Sequence, residues 1–375
     1  PVTPKHSHRR QRWFRARSSI SMHEYVGNTH IHTPYSDGEG SHEEIAQAAL
    51  KAGLDFAIVT DHNIYVSGLD GYRYDGDRRV LLLVGEEIHD RIREPQKNHL
   101  LVYETRKEMA PLAEDPQHLI DQVRLAGGLA FLAHPVDPDA PLINNDDLSW
   151  VDWDVVGYTG LEIWNFMSEF KGLLGSVRQA LPYLYHPERI ARGPYPAALE
   201  RWDGLLNEGK RVVVIGGTDA HATKVQYGPL KRVVFPYEFL FRTVNTHVLT
   251  PSPLTGVVEN DRRLLFESMR KGHCFVGYDL PASTRGFRFQ AETDEGRVDM
   301  GNVAQGRFGV TLQVRTPRRA EIRMLHNGQV VKTWQGAEAA VLSVKHAGAY
   351  RVEAFIDYEN ERRTWIISNP IFVEA

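Results

Sequence analysis

The sequence has one cysteine, Cys274, in 375 residues. That excludes a disulfide framework, and with it any zinc or iron–sulfur site built on several thiolates. Long apolar runs are also missing. The strongest, such as Val80–Val84, fall far short of the ~20 residues a membrane-spanning helix needs. No apolar stretch of about 7–15 residues follows the twin arginines Arg9-Arg10, so no signal peptide is expected, and a cytoplasmic location is. Positive charge is scarce outside one end. Residues 1–17 carry Lys5, Arg9, Arg10, Arg12, Arg15 and Arg17 and no acid, which leaves the remainder at −10 against −4 for the whole chain. A body of that sign argues against nucleic acid as a partner. The basic stretch, taken as 1–24, reads as a disordered tail.

Histidine is what the chain has in quantity: 17, beside 48 Asp and Glu. If this protein holds metal, its ligands are imidazole and carboxylate, a donor set suited to Zn, Mn or Fe.

From residue 25 the pattern is β then α. Tyr25–Thr33 reads as a strand. Ser41 and Glu44 form a capping box, and Ile45, Ala48, Ala49 and Ala52 then give a helical stripe stopped by Gly53. Short apolar runs follow at Phe56–Thr60, Val80–Val84, His99–Tyr103, Leu129–Ala133, Leu161–Trp164 and Arg211–Ile215, making seven strands. Helical segments at His118–Ala126 and Ala197–Glu208 separate some of them, which implies parallel βαβ units. Arg262–Arg270 reads as one more helix. After Pro281 the period falls to two: Phe308, Val310, Leu312 and Val314 alternate with polar or small residues, as do Tyr350, Val352, Ala354 and Ile356. Asn327-Gly328 is a strong hairpin signal. The expectation is an α/β barrel over 25–280, then a small antiparallel β-sandwich over 285–375.

Chemistry-bearing residues stand where the buried runs end. His30 and His32 are at i and i+2, so both imidazoles point to one face of a strand. Alone this is weak: with 17 histidines a His-x-His pair is expected about once by chance, and His6-Ser7-His8 in the tail is such a pair. The context separates them. His30-Ile31-His32 precedes Ser36-Asp37-Gly38, and other strand ends carry Thr60-Asp61-His62, Gly85-Glu86-Glu87, Ala133-His134-Pro135 and Asp219-Ala220-His221, while His99 opens a strand.

This set of motifs resembles the PHP (polymerase and histidinol phosphatase) family of metallohydrolases, over roughly residues 25–280. Ser368-Asn369-Pro370-Ile371, after a β-sandwich, is similar to the carbaryl-hydrolase-type branch. The resemblance implies a distorted (β/α)7 barrel with two to three divalent metal ions. His30, His32, Glu87 and Asp219 would hold the first. Glu87 would bridge to a second held by His99 and His134, and Asp37, His62 and His221 would hold a third. Glu86 competes for the bridging role; the family pattern Gly-x-Glu favours Glu87.

The implied chemistry is hydrolysis by a hydroxide that the metals make available near neutral pH. Asp219 would orient and deprotonate the water, with His221 or His62 as general acid if the third site is empty. Glu162 and Asn165, at the end of a strand, either reach the substrate or support a ligand from behind. Lys224 and Arg242 are candidates for holding a substrate anion. Three functions compete: a phosphoesterase for a small phosphorylated molecule, a carbamate or carboxylic ester hydrolase, and a metal-stabilised binding module without catalysis. Oligomeric state stays open.

Overall fold

The computed structural model describes residues 22–227, 230–307 and 309–374. The basic stretch 1–17, its His6-Ser7-His8 pair and Phe308 lie outside the described residues.

The first half contains nine strands: β1 (His23–Asn28), β2 (Phe56–Val59), β3 (Gly71–Asp75), β4 (Arg78–Val84), β5 (Glu86–Ile88), β6 (Leu100–Tyr103), β7 (Leu129–Leu132), β8 (Gly160–Asn165) and β9 (Val213–Gly217). Helices α1 (His42–Ala52), α2 (Pro116–Leu125), α3 (Phe166–Lys171), α4 (Val177–Tyr185) and α5 (Pro196–Asn207) lie among them. The capping box is formed: Ser41 accepts from the Glu44 N–H, the Glu44 carboxylate accepts from the Ser41 N–H, and Gly53 closes α1 at φ 81°.

β1, β2 and β4 pair in parallel, and β7, β8 and β9 form a second parallel set. β5 and β6 connect the sets, both pairings antiparallel. Only Gly85 separates β4 from β5. Isolated bridges, Ile31 to Ala220 and His62 to Glu87, tie the ends of the two sheets together. The strand interiors are buried on both faces. Phe56, Ile58, Leu81 and Leu83 enter one apolar cluster, and Ala57, Val59, Val80 and Leu82 another.

The regular βα alternation expected from the sequence is corrected in three places. β3, which the sequence reading did not assign, pairs antiparallel with β4. The segment between β7 and β8 holds only a one-turn 3-10 helix at Pro141–Ile143. β6 runs against its neighbours, because residues 89–99 return the chain without a crossover helix. β1 also ends at Asn28 rather than at Thr33.

The second half begins with β10 (Thr223–Tyr227), β11 (Leu230–Val234), α6 (Tyr237–Leu240), β12 (Val244–Thr250), α7 (Val258–Arg270) and β13 (Cys274–Tyr278). Strands follow without helices: β14 (Arg288–Thr293), β15 (Gly296–Asp299), β16 (Val303–Gln305), β17 (Val310–His326), β18 (Gln329–Val344), β19 (Gly348–Tyr358), β20 (Glu361–Ser368) and β21 (Ile371–Glu374). Asn327 and Gly328, both at positive φ, make the β17–β18 hairpin. These strands enclose their own core, including Phe289, Leu312, Met324, Val352 and Trp365. The sheet is continuous from one half to the other: β1 pairs with β12, β12 with β13, and β13 with β20. Among the described residues no helix is long and apolar enough to cross a membrane.

Candidate metal centre

The parallel strands deliver their carboxyl ends to one rim. His30 and His32 follow β1, His62 follows β2, Glu87 follows β4, His134 follows β7, and Asp219 and His221 follow β9. His99 precedes β6, and because β6 is antiparallel its start lies at that same rim. Reversal of one strand explains why this histidine opens a strand while the others close one.

Local structure fixes the loops. Asp61 accepts from the Thr33 N–H, the Thr33 hydroxyl and the Ser36 hydroxyl, each at 2.7 Å, and so shapes the turn from His32 to Asp37. Gly38 closes that turn; a Cβ there would sit 2.1 Å from the His32 carbonyl oxygen. Gly217 likewise lies under His30, where a Cβ would fall 2.9 Å from the His30 Cβ. Two donors stand on left-handed backbone, His134 at φ 26° and Asp219 at φ 56°. An L-residue adopts that conformation at a cost of roughly 1–2 kcal/mol, which surrounding structure must offset.

Donor atoms converge in three groups, each within 4.8 Å: His30, His32, Glu87 and Asp219; His32, Asp37, His62 and His221; and His62, Glu87 and His99. Glu87 is central. Its Oε2 lies 2.9 Å from His30 Nε2, 3.1 Å from His32 Nε2 and 3.3 Å from His62 Nδ1. Its Oε1 lies 2.7 Å from His99 Nδ1 and 2.9 Å from His134 Nε2. The two oxygens thus face two different sets of imidazoles. Glu86 points elsewhere, accepting from the Met109 N–H at 2.9 Å. Burial raises its carboxyl pKa to about 7.

The electrostatics are those of a cation site. Burial opposes the charge of Glu87, yet His30, His62 and His99 hold its pKa well below the usual carboxylate range. Asp219 is depressed in the same way, by His30, His221 and His32 against its burial. Conversely, burial disfavours a charged His30, but Glu162, Glu87 and Asp219 outweigh it and raise its pKa. His32 Nε2, His62 Nδ1 and Asp219 Oδ1 are buried without a hydrogen-bond partner. Orphaned lone pairs amid imidazoles and carboxylates fit divalent cations, which compete with protons for the same nitrogens.

All nine expected ligands are brought together. The group around His99 includes His62, with His134 reaching the same Glu87 oxygen. Four weaker candidates lie off the cavity that fronts the donors. Glu162 sits beneath them: it lies 3.1 Å from His30 Nδ1 and accepts from the His134 N–H and from Asn165 Nδ2, each at 3.0 Å. The Asn165 side-chain oxygen caps α3 by accepting from the Ser168 N–H. Lys224 is exposed and paired with Glu39, and Arg242 is exposed and paired with Glu238.

The cavity, about 290 Å³, brings in residues that no sequence motif marks, among them Gln96, Asp137 and Lys171. His89 stacks on His99 at 4.5 Å between centroids and meets His62 edge-on. Burial depresses its pKa to about 4, which suits a neutral packing ring.

No model of a known protein family matches the chain. An uncharacterized protein of Methanocaldococcus jannaschii is 26% identical over 147 residues, 36% of this chain and 79% of that protein. A two-domain protein from Bacteroides vulgatus, described as containing a predicted PHP-like metal-dependent phosphoesterase, overlaps 92% of this chain and 95% of its own, at 15% identity and a TM-score of 0.42. A proposed metal-dependent phosphoesterase from Bifidobacterium adolescentis overlaps 57% and 94%, at 17% identity and a TM-score of 0.31.

Proposed function

We propose that the protein is a metal-dependent hydrolase of the PHP type, cleaving the phosphoester of a small molecule. The observation that carries this reading is the convergence of three donor groups on one rim, with His32, Glu87 and His62 each shared between two of them. Three cations would match the three non-bridging oxygens of a phosphomonoester. The motif set supports the (β/α)7 PHP barrel as the parent of this ring, and Asn369 in its Ser-Asn-Pro-Ile segment supports the carbaryl-hydrolase-type branch. We assign the barrel to 25–280 and the β-sandwich to 285–375.

Divalent Mn, Fe or Zn, when bound, supplies Lewis acidity and lowers the pKa of water toward neutrality. The chain's own residues do the rest. His30, His32, Glu87 and Asp219 would hold one cation, Glu87 with His99 and His134 a second, and Asp37, His62 and His221 a third. Glu162 accepts from His30 and from the His134 N–H, which would fix the orientation of the His30 ring and the backbone at His134. Asp219 lines the cavity and turns Oδ1 toward His30, His32 and His221, which supports a role in orienting the attacking water and accepting its proton. His62 and His221, both partly open to the cavity, can protonate the leaving alcohol when no third cation holds them.

The test is a side-by-side assay of nitrophenyl phosphate, a phosphodiester, nitrophenyl acetate and an aryl carbamate with Mn and with Zn. Phosphate hydrolysis is expected. The apolar wall of the cavity favours a second reading, ester or carbamate hydrolysis at the same metals. Activity on the acetate or carbamate alone would select it.

A further inference from the structure

The cavity has two unlike walls. One is the donor cluster. The other is apolar: Met167 and Phe170 from α3, Leu174 just after it, and Ile143 and Leu148 from the loop between β7 and β8. The polar side chains beside them include the uncharged amides of Gln96 and Asn145. Among the described residues one cation lines this space, Lys171.

Lys171 is not free to hold a substrate anion. It is buried, and its ammonium donates to Asp137 Oδ2 at 2.6 Å and to the Asp146 carbonyl at 2.6 Å. A buried charge so paired presents no net charge to the cavity, and removing it from its carboxylate would be costly. Its bonds lead into the loop instead. Lys97 donates to the Asp147 carbonyl and to Asp147 Oδ1, both at 2.5 Å. Two ammonium groups therefore hold consecutive residues, Asp146 and Asp147. The Asp137 N–H donates to Ser149 Oγ, which closes the base of the same loop. This fastening holds the loop that brings Ile143 and Leu148 to the cavity also lined by Met167, Phe170 and Leu174.

We infer that this slot receives the alcohol portion of the ester, that this portion is apolar and uncharged, and that Lys171 is a positioning residue that fastens the slot. The inference rests on the phosphoester reading above. In the reaction water adds to phosphorus, the bond from phosphorus to the alcohol oxygen breaks, and the alcohol leaves with a proton that came from the water.

The experiment uses the metal-loaded full chain and a homologous series of ethyl, butyl and hexyl phosphate, whose leaving-group reactivities are similar. kcat/KM is expected to rise roughly two- to fourfold per methylene until the slot is full, as burial of apolar surface predicts. Butane-1,4-diol bisphosphate, which puts a second anion in the slot, should be at least about tenfold poorer than butyl phosphate. A flat series, or preference for the bisphosphate, overturns the inference while the phosphoester reading stands. No hydrolysis of any phosphate overturns both. Lys171→Met should raise KM for hexyl phosphate about tenfold with kcat within about twofold and unchanged metal content, and Lys171→Arg should recover part of the loss. Inhibition by inorganic phosphate separates the two roles of Lys171: it should be unchanged in Lys171→Met, and a tenfold weakening would show that the ammonium binds the anion. Should Lys171→Met fail to fold, Phe170→Ala carries the test, since it should flatten the alkyl series.

Discussion

Single residues carry the candidate site unequally. The donors crowd around Glu87, which meets imidazoles through both oxygens, whereas Glu162 touches them only from behind. Glu162→Gln should therefore leave the fold and the donor set intact and weaken metal affinity by about 10–100-fold, measured by competition with a chelator. Asp219→Asn should abolish hydrolysis and reduce bound metal; full activity in that variant would move the chemistry elsewhere. Cys274 is a contrasting case. It is fully buried, and burial raises its thiol pKa to about 12. Thiol reagents should modify it only after denaturation, which mass spectrometry with and without urea would check. At this scale the sequence was most legible where chemistry repeats at strand ends: the motifs from His30 to His221 name residues whose side chains converge on one rim. Lys171 and Lys97 were not legible. What matters about them is a partner 25 to 50 residues away along the chain, and no local pattern encodes that distance.

Elements explain why the remaining readings shifted. Apolar runs located every strand of the first half except the short β5 and the half-exposed β3, but they are silent on direction. β6 reads the same parallel or antiparallel, and only its return connection decides. Elements also meet in a buried charged network away from the candidate metal centre. His247, on β12, lies 2.8 Å from Glu24 on β1, 3.1 Å from Asp279 just after β13 and 2.7 Å from the Thr284 hydroxyl. Burial works against its charge, but Asp279 and Glu24 prevail and raise its pKa to about 9. Because the folded value is raised, the stabilisation is complete below the unfolded value of about 6.5 and is lost as pH rises from there through about 9. The urea midpoint of the wild type should fall across that window, and the fall should be shallower in His247→Gln.

At the scale of the whole molecule one sheet runs through both halves, beside the separate sheet of β5 to β9. The hydrogen-bonded path from β1 through β12, β13 and β20 gives the strands after β13 and the candidate metal centre a common backbone. Removal of 285–375 would strip β20 from β13 and uncover an apolar edge. Such a truncation should be insoluble or fail to bind metal, as soluble yield and metal content would reveal. A soluble, metal-loaded fragment would show that the halves fold independently. Chelation should lower the melting temperature of the intact chain, because cations that bind only the folded donor set stabilise it by mass action. The Asn369 amide is the finest thread in this continuity. Its oxygen accepts from the Val214 N–H at 2.8 Å and its nitrogen donates to the Val214 and Cys274 carbonyls at 2.9 and 2.8 Å, completing β9 at a separation of 155 residues. That separation has a meaning in time. On the ribosome β9 is made long before Asn369 emerges, so the strand that presents Asp219 waits, unfinished, while β14 to β20 are synthesised.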